Sequence, residues 1–161
     1  MKRVLMTIIV FCLAACGEVQ EHYGLETLPG LERPYTINCD DCDKAALRNA
    51  ADFWNFSLGG VLFDLTAEGE VADIAIRIVE YLPRGYMGYA SVFKNGDCEI
   101  ELWAERIDHV PLIAHELGHC LDLNHSDNPR SIMFERVNYS SRVMPEDRDI
   151  VLNLISGDRN G

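Results

Sequence analysis

The segment His115-Glu116-Leu117-Gly118-His119-Cys120-Leu121-Asp122-Leu123-Asn124-His125 carries three imidazoles and one carboxylate, the side-chain types that hold a zinc ion and take a proton from water beside it. On a helix, residues four apart lie on one face, so His115 and His119 point at a single ion. Glu116, one step round, reaches the water on that ion. A helix continued to His125 would carry that ring about 15 Å along the axis and about 80° away from His115. The helix therefore has to stop near Asp122 and the chain double back, so that His125 supplies the third nitrogen. Three neutral imidazoles leave the ion its full charge and one open coordination position, which lowers the pKa of a bound water to about 7.

Further along lies Met133, in the run His125-Ser126-Asp127-Asn128-Pro129-Arg130-Ser131-Ile132-Met133. The His-Glu-x-x-His pattern, the third histidine six residues on and the methionine in this register resemble the metzincin zinc endopeptidases, and within them the matrixin branch. The resemblance implies peptide-bond hydrolysis without a covalent intermediate. Glu116 takes the proton from water and returns it to the leaving amine, and Met133 sits on a tight turn as an apolar floor beneath the ligands. The family has glycine where this chain has Asp122, the residue that takes the left-handed conformation ending the helix. Asp and Asn tolerate positive φ best among the other residues, at a penalty of about 1 kcal/mol, so the turn is expected to survive. Asn124, equally permissive, could absorb part of the bend. The rival reading is a non-catalytic metal-binding lipoprotein that uses the same fold to bind a protein partner. Glu116 weighs against it, because a carboxylate beside such a water has no purpose in a pure binding site.

The elements that must position these residues follow from periodicity. The chain opens with Lys2 and Arg3 and an apolar run over 4–15, too short to span a bilayer, which reads as a secretory signal over 1–15. Leu13-Ala14-Ala15-Cys16 resembles the lipobox of bacterial lipoproteins. It implies lipidation at Cys16, a membrane anchor and the cell envelope as destination, on the outer-membrane or periplasmic side in a Gram-negative cell. Residues 16–34 are polar with scattered glycine and proline and read as a tether. One catalytic domain over 35–157 and a short tail over 158–161 remain, expected as a monomer.

Leu47, Ala50, Ala51, Trp54 and Leu58 recur at helical spacing behind the acceptors Asp40, Asp41 and Asp43. Residues 61–65 and 72–81 read as strands, with Ile74, Ile76 and Ile78 on one face. Residues 88–94 and 97–103 flank Asn95-Gly96, the dipeptide that most favours a tight hairpin. By resemblance, Gly88, Tyr89, Ala90 and Ser91 lie on the edge strand bordering the cleft, where free main-chain groups pair with an extended peptide. The polar run 135–143 falls where matrixins wall a substrate pocket. Tyr139 within it could donate to a developing oxyanion, though its offset favours surface packing. Pro145 opens a last helix whose buried stripe is Ile150, Val151, Leu154 and Ile155, ended by Gly157. The expected class is α+β and metzincin-like: a twisted mixed sheet with an antiparallel edge hairpin, an active-site helix, a Met-turn and a C-terminal helix.

With Cys12 and Cys16 set aside, Cys39, Cys42, Cys98 and Cys120 suggest two disulfides in an exported protein, in any of three connectivities. Cys120 reads otherwise as a small buried residue. The formal net charge of −12 argues against nucleic acid and favours basic or neutral protein and peptide substrates slightly. One catalytic Zn²⁺ is the implied cofactor. Asp40-Asp41 and Glu146-Asp147 could take Ca²⁺, but no ligand loop is recognisable and solvated charge is the default. His22 and His109 lie outside the constellation, as linker and helix-flank residues.

Overall fold

Strands here are short and alternate apolar with polar side chains, so each buries one face only. The computed structural model describes residues 24–67 and 69–157; the signal segment, Cys16, His22 and the 158–161 tail lie outside the described residues. Five strands form one mixed sheet: β1 (Tyr35–Asn38), β2 (Phe63–Leu65), β3 (Ile74–Val79), β4 (Gly88–Val92) and β5 (Cys98–Trp103). Their spatial order is β2-β1-β3-β5-β4, parallel throughout except for the antiparallel β4–β5 pair at one edge. Three helices, α1 (Lys44–Leu58), α2 (Val110–Cys120) and α3 (Pro145–Ser156), complete an α+β domain of the expected metzincin-like kind. Among the described residues no helix is long and apolar enough to cross a membrane.

On β3 and β5, Ile74, Ile76, Ile100 and Leu102 face the helices, while Arg77 lies on the outer face between Glu99 and Glu101. The helix α1 is capped at both ends: the Asp43 carboxylate accepts from Ala46 N–H, and Gly59 takes the left-handed conformation. Its inner face carries two polar groups with defined tasks. The Trp54 indole N–H donates to the Ala114 carbonyl of α2 at 2.8 Å, tying the two helices together. Asn55, fully buried, accepts from Leu62 N–H and Phe63 N–H and donates to Phe63 C=O, so one side chain satisfies the main chain where it turns from α1 into β2.

Several expectations need correction. The strand expected over 61–65 begins at Phe63, and Val61 instead forms an isolated bridge with Thr27. β3 is shorter at both ends than 72–81. The hairpin is not a two-residue turn at Asn95-Gly96: Gly96 N–H donates to Phe93 C=O and Phe93 N–H to Asp97 C=O, giving a three-residue loop with Gly96 at φ 93°. The last turn of the segment read as tether is not free, because Leu28 is buried in the core and Arg33 pairs with Asp73. That guanidinium, with Thr36, holds the Asp73 carboxyl well below the usual range. On α3, Ile150 is half exposed, so the stripe rests on Val151, with Leu154 and Ile155 partly buried. Strand β1 was not anticipated, since four residues behind Pro34 are too few to show a period.

The four cysteines pair as Cys39–Cys42 and Cys98–Cys120, one of the three connectivities. Cys120 is thus a crosslink from the end of α2 to the start of β5, not merely a small buried residue. Of the Glu146-Asp147 pair, Glu146 is exposed and accepts from Asn128, as solvated charge does, whereas Asp147 is buried.

Asn55→Leu keeps the volume but strands two buried N–H groups. It is expected to lower the unfolding free energy by about 3 kcal/mol, measured by urea denaturation; a loss below about 1 kcal/mol would refute the assigned role.

Candidate metal centre

Helix α2 begins with Pro111 in its first turn and the His109 Nδ1 accepting from Leu112 N–H at 3.1 Å. From Pro111 to Gly118 every residue is buried, so the helix runs through the core and carries His115 and Glu116 into it. His115 and His119 lie on the same face, four residues apart.

Three hydrogen bonds close the helix. Asp122 N–H donates to His119 C=O, Leu123 N–H to Gly118 C=O, and Leu121 N–H to Gly118 C=O. Asp122 sits at φ 64°, the left-handed position that ends such a turn and that glycine usually fills. Asn124 takes no share in a positive φ. Past the turn, the Leu123 carbonyl meets His119 Nδ1 at 2.7 Å, and His125 follows. Its ring centroid lies 5.2 Å from that of His115 and 4.9 Å from that of His119. The three rings each offer a nitrogen, all within 4.8 Å of one another.

A second turn lies below. Ser126 N–H donates to Met133 C=O, which ties the strand after His125 to the segment carrying Met133. The Ile132 carbonyl meets His115 Nδ1 at 2.7 Å. Met133 is fully buried, and a Cβ at Gly118 would collide with its Sδ, so the thioether packs directly on the helix backbone between His115 and His119. Ser131 Oγ accepts from Met133 N–H and donates to Asp147 of α3, whose carboxylate also accepts from Met144 N–H. Burial pushes the Asp147 carboxyl up, against these hydrogen bonds. The Ser131–Asp147 support was not anticipated, because no short-range pattern joins two residues sixteen positions apart.

The donor chemistry fits a cation. Carbonyl oxygens only accept, so both Nδ1 atoms bear the ring proton and both Nε2 atoms present lone pairs. Those Nε2 atoms of His115 and His119 lie 3.0 Å apart. With neither carrying a proton, the contact is not a hydrogen bond, and two lone pairs at that distance repel unless a cation lies between them. Tetrahedral zinc with nitrogen ligands at about 2.0–2.1 Å separates them by about 3.3 Å. Burial, with the neighbouring imidazoles adding to it, lowers His115 to about 4, and burial also lowers His119, so both rings are neutral as ligation requires.

Glu116 is 4% exposed, and burial raises its carboxyl to about 8. Its position is set by β4: a Cβ on Gly88 would stand 2.5 Å from Glu116 Oε1 and 2.9 Å from Cδ. Gly88 is thus the gap in the edge strand that the carboxylate fills. The trio and Glu116 open into a cleft of about 870 Å³, whose lining includes residues 84–90 and Glu135, Arg136 and Val137. Gly88, Tyr89 and Ala90 line it; Ser91, also expected there, lies beyond it along β4. Trp103 N–H donates to Met87 C=O and Phe93 N–H to Asp97 C=O, so alternation along the antiparallel pair turns the main-chain groups of Gly88, Ala90 and Val92 to the open edge. Tyr139 is outside the cleft lining, with its ring against His109 at 4.9 Å.

The matrixin family model, of the M10 peptidases, matches residues 94–154, a stretch that contains His115, Glu116, His119, His125 and Met133. No curated protein matches the chain. The partial match and the mixed five-stranded sheet together support a metzincin-like domain.

Titration of the metal-free protein with zinc, in competition with a chromogenic chelator, is expected to show one ion per chain. His125→Ala should weaken binding by at least about a hundredfold while leaving the far-ultraviolet dichroism intact. Unchanged affinity in that variant would remove His125 from the ligand set.

Proposed function

We propose that this chain is a zinc-dependent endopeptidase of matrixin type, with His115, His119 and His125 as ligands, Glu116 as general base and Met133 as the floor of the site. The observation that carries the reading is the pair of Nε2 lone pairs 3.0 Å apart, beside a buried carboxylate and an open strand edge. Zinc, when bound, supplies a Lewis acid for the scissile carbonyl and acidifies the attacking water. An extended peptide pairs with the outward main-chain groups of Gly88 and Ala90, which holds its backbone across the cleft. Burial alone favours the protonated Glu116 carboxyl; the positive charge of a cation held by the three imidazoles would restore the carboxylate, which would then accept a proton from the water and deliver it to the leaving amine. Residues 135–137, which also line the cleft, would meet side chains that flank the cut bond. The Cys16 lipobox adds an envelope location: a diacylglyceryl anchor there would keep the catalytic domain at a membrane surface, facing protein substrates outside the cytoplasm.

Glu116→Ala is expected to retain zinc and lose about 10²–10⁴-fold in cleavage of casein or a peptide library. Gly88→Ala, which displaces the carboxylate without touching a ligand, should also keep zinc and lose about a hundredfold in rate. Equal activity of wild type and Glu116→Ala would remove the mechanism; zinc bound with no cleavage by wild type would favour the partner-binding reading instead. Expressed in a bacterium, the full chain should partition with membranes, and Cys16→Ser should shift it to the soluble fraction. Membrane association that ignores this substitution would exclude the lipid anchor.

A further inference from the structure

We infer that the Cys98–Cys120 disulfide is a positioning device for the metal trio, which offsets the backbone strain that Asp122 places at the end of α2. The inference rests on the zinc reading above and adds to it a dependence of metal affinity on a crosslink.

Asp122 occupies a left-handed conformation that disfavours any residue bearing a Cβ, in the turn on which the ligand geometry depends. Opening that turn would undo three things at once. The Leu123 carbonyl would leave His119 Nδ1, the last turn of α2 would lose its closing hydrogen bonds, and His125 would swing away from the other two rings. The protein would bind zinc only from the closed fraction of its population, and the apparent dissociation constant would rise by the inverse of that fraction. A glycine at position 122 would make the closed turn easy. This chain places a covalent constraint two residues earlier instead.

The crosslink is well placed for that task. Cys120 is the last residue of α2, directly after His119 and two before Asp122. Its partner is held from several sides: Cys98 opens β5, pairs with Val92 of β4 and Ile74 of β3, donates its N–H to the Asp73 carbonyl, and is 3% exposed. The bond therefore fastens the helix end to the first residue of an interior strand, paired on both sides. It spans 22 positions and encloses all of α2, so fraying of the helix from its C-terminus has to carry the anchored Cys120 with it. The other disulfide, Cys39–Cys42, closes a span of 3 positions ahead of α1 and has no such connection, which makes it an internal control.

The test compares zinc dissociation constants, by chelator competition, in a cycle of four proteins: the wild type, Cys98→Ala/Cys120→Ala, Asp122→Gly, and the three substitutions together. Loss of the disulfide alone is expected to weaken zinc binding by about tenfold and to speed amide exchange at Asp122 and Leu123. Asp122→Gly should alter affinity less than about twofold when the disulfide is present and recover most of the loss when it is absent. Asp122→Asn, which removes the charge but keeps a Cβ, should recover little, and Cys39→Ala/Cys42→Ala should leave affinity unchanged. Equal effects of Asp122→Gly with and without the crosslink, or equal recovery by Asn and Gly, would overturn the inference. If the Cys98→Ala/Cys120→Ala protein does not fold, folded Cys39→Ala/Cys42→Ala protein reduced with a phosphine before zinc is added gives the same comparison. Failure of the oxidised wild type to bind zinc would sink the zinc reading itself; tight binding that ignores the disulfide would overturn only the clamp.

Discussion

The reversal of the chain at Asp122 is the constraint on which the rest of the molecule depends. An α-helix carries side chains away from one another at a fixed rise, so three ligands within eleven residues cannot converge on one straight helix. The left-handed residue ends α2, and the hydrogen bonds around it convert a helix terminus into part of the site. The same turn delivers the Leu123 carbonyl to His119 and starts the segment that carries His125 back. Helix end, His119 tautomer and the approach of His125 are therefore one structural event.

Around that event the fold places supports that reach from every layer. From below, Met133 presses on Gly118, and its turn supplies the Ile132 carbonyl that orients His115. From α3, Asp147 holds Ser131, and through it Met133 N–H. From α1, Trp54 bonds the Ala114 carbonyl just ahead of His115. From the sheet edge, β4 leaves a glycine-sized gap for Glu116 and turns alternate main-chain groups outward beside it. Each contact is modest alone, at about 1 kcal/mol for an ordinary hydrogen bond. Together they hold two neutral imidazoles with their lone pairs facing, an arrangement that an uncharged core would otherwise disperse.

Much of this was legible in the residues. Helix α1 follows from Leu47, Ala50, Ala51, Trp54 and Leu58 with Asp43 ahead of them, and the faces of β3 and β5 from simple alternation. The need for a turn near Asp122 follows from helical geometry alone, without any fold. The failures have physical causes too. Leu28 sits among glycines and prolines, so its segment reads as loose chain, yet a single buried leucine and a bridge to Val61 dock it. Ile150 obeys the helical period but faces solvent, because α3 packs through Val151 and turns its flank outward. The Asn95-Gly96 signal located the hairpin but not its loop, since Gly96 takes the positive φ of a three-residue turn.

What the sequence determined by itself was local: the side-chain types, their spacing on one helix face, the obligatory break near Asp122, and the period of each long element. These depend on residues a few positions apart, where backbone geometry is fixed in advance. Tertiary structure decided which carbonyl orients His115, which of three cysteine pairings forms, how Gly88 makes room for Glu116, and why a serine and an aspartate sixteen residues apart share a proton donor and acceptor. Those contacts join residues that only the packed sheet and helices bring together. No short-range period encodes them.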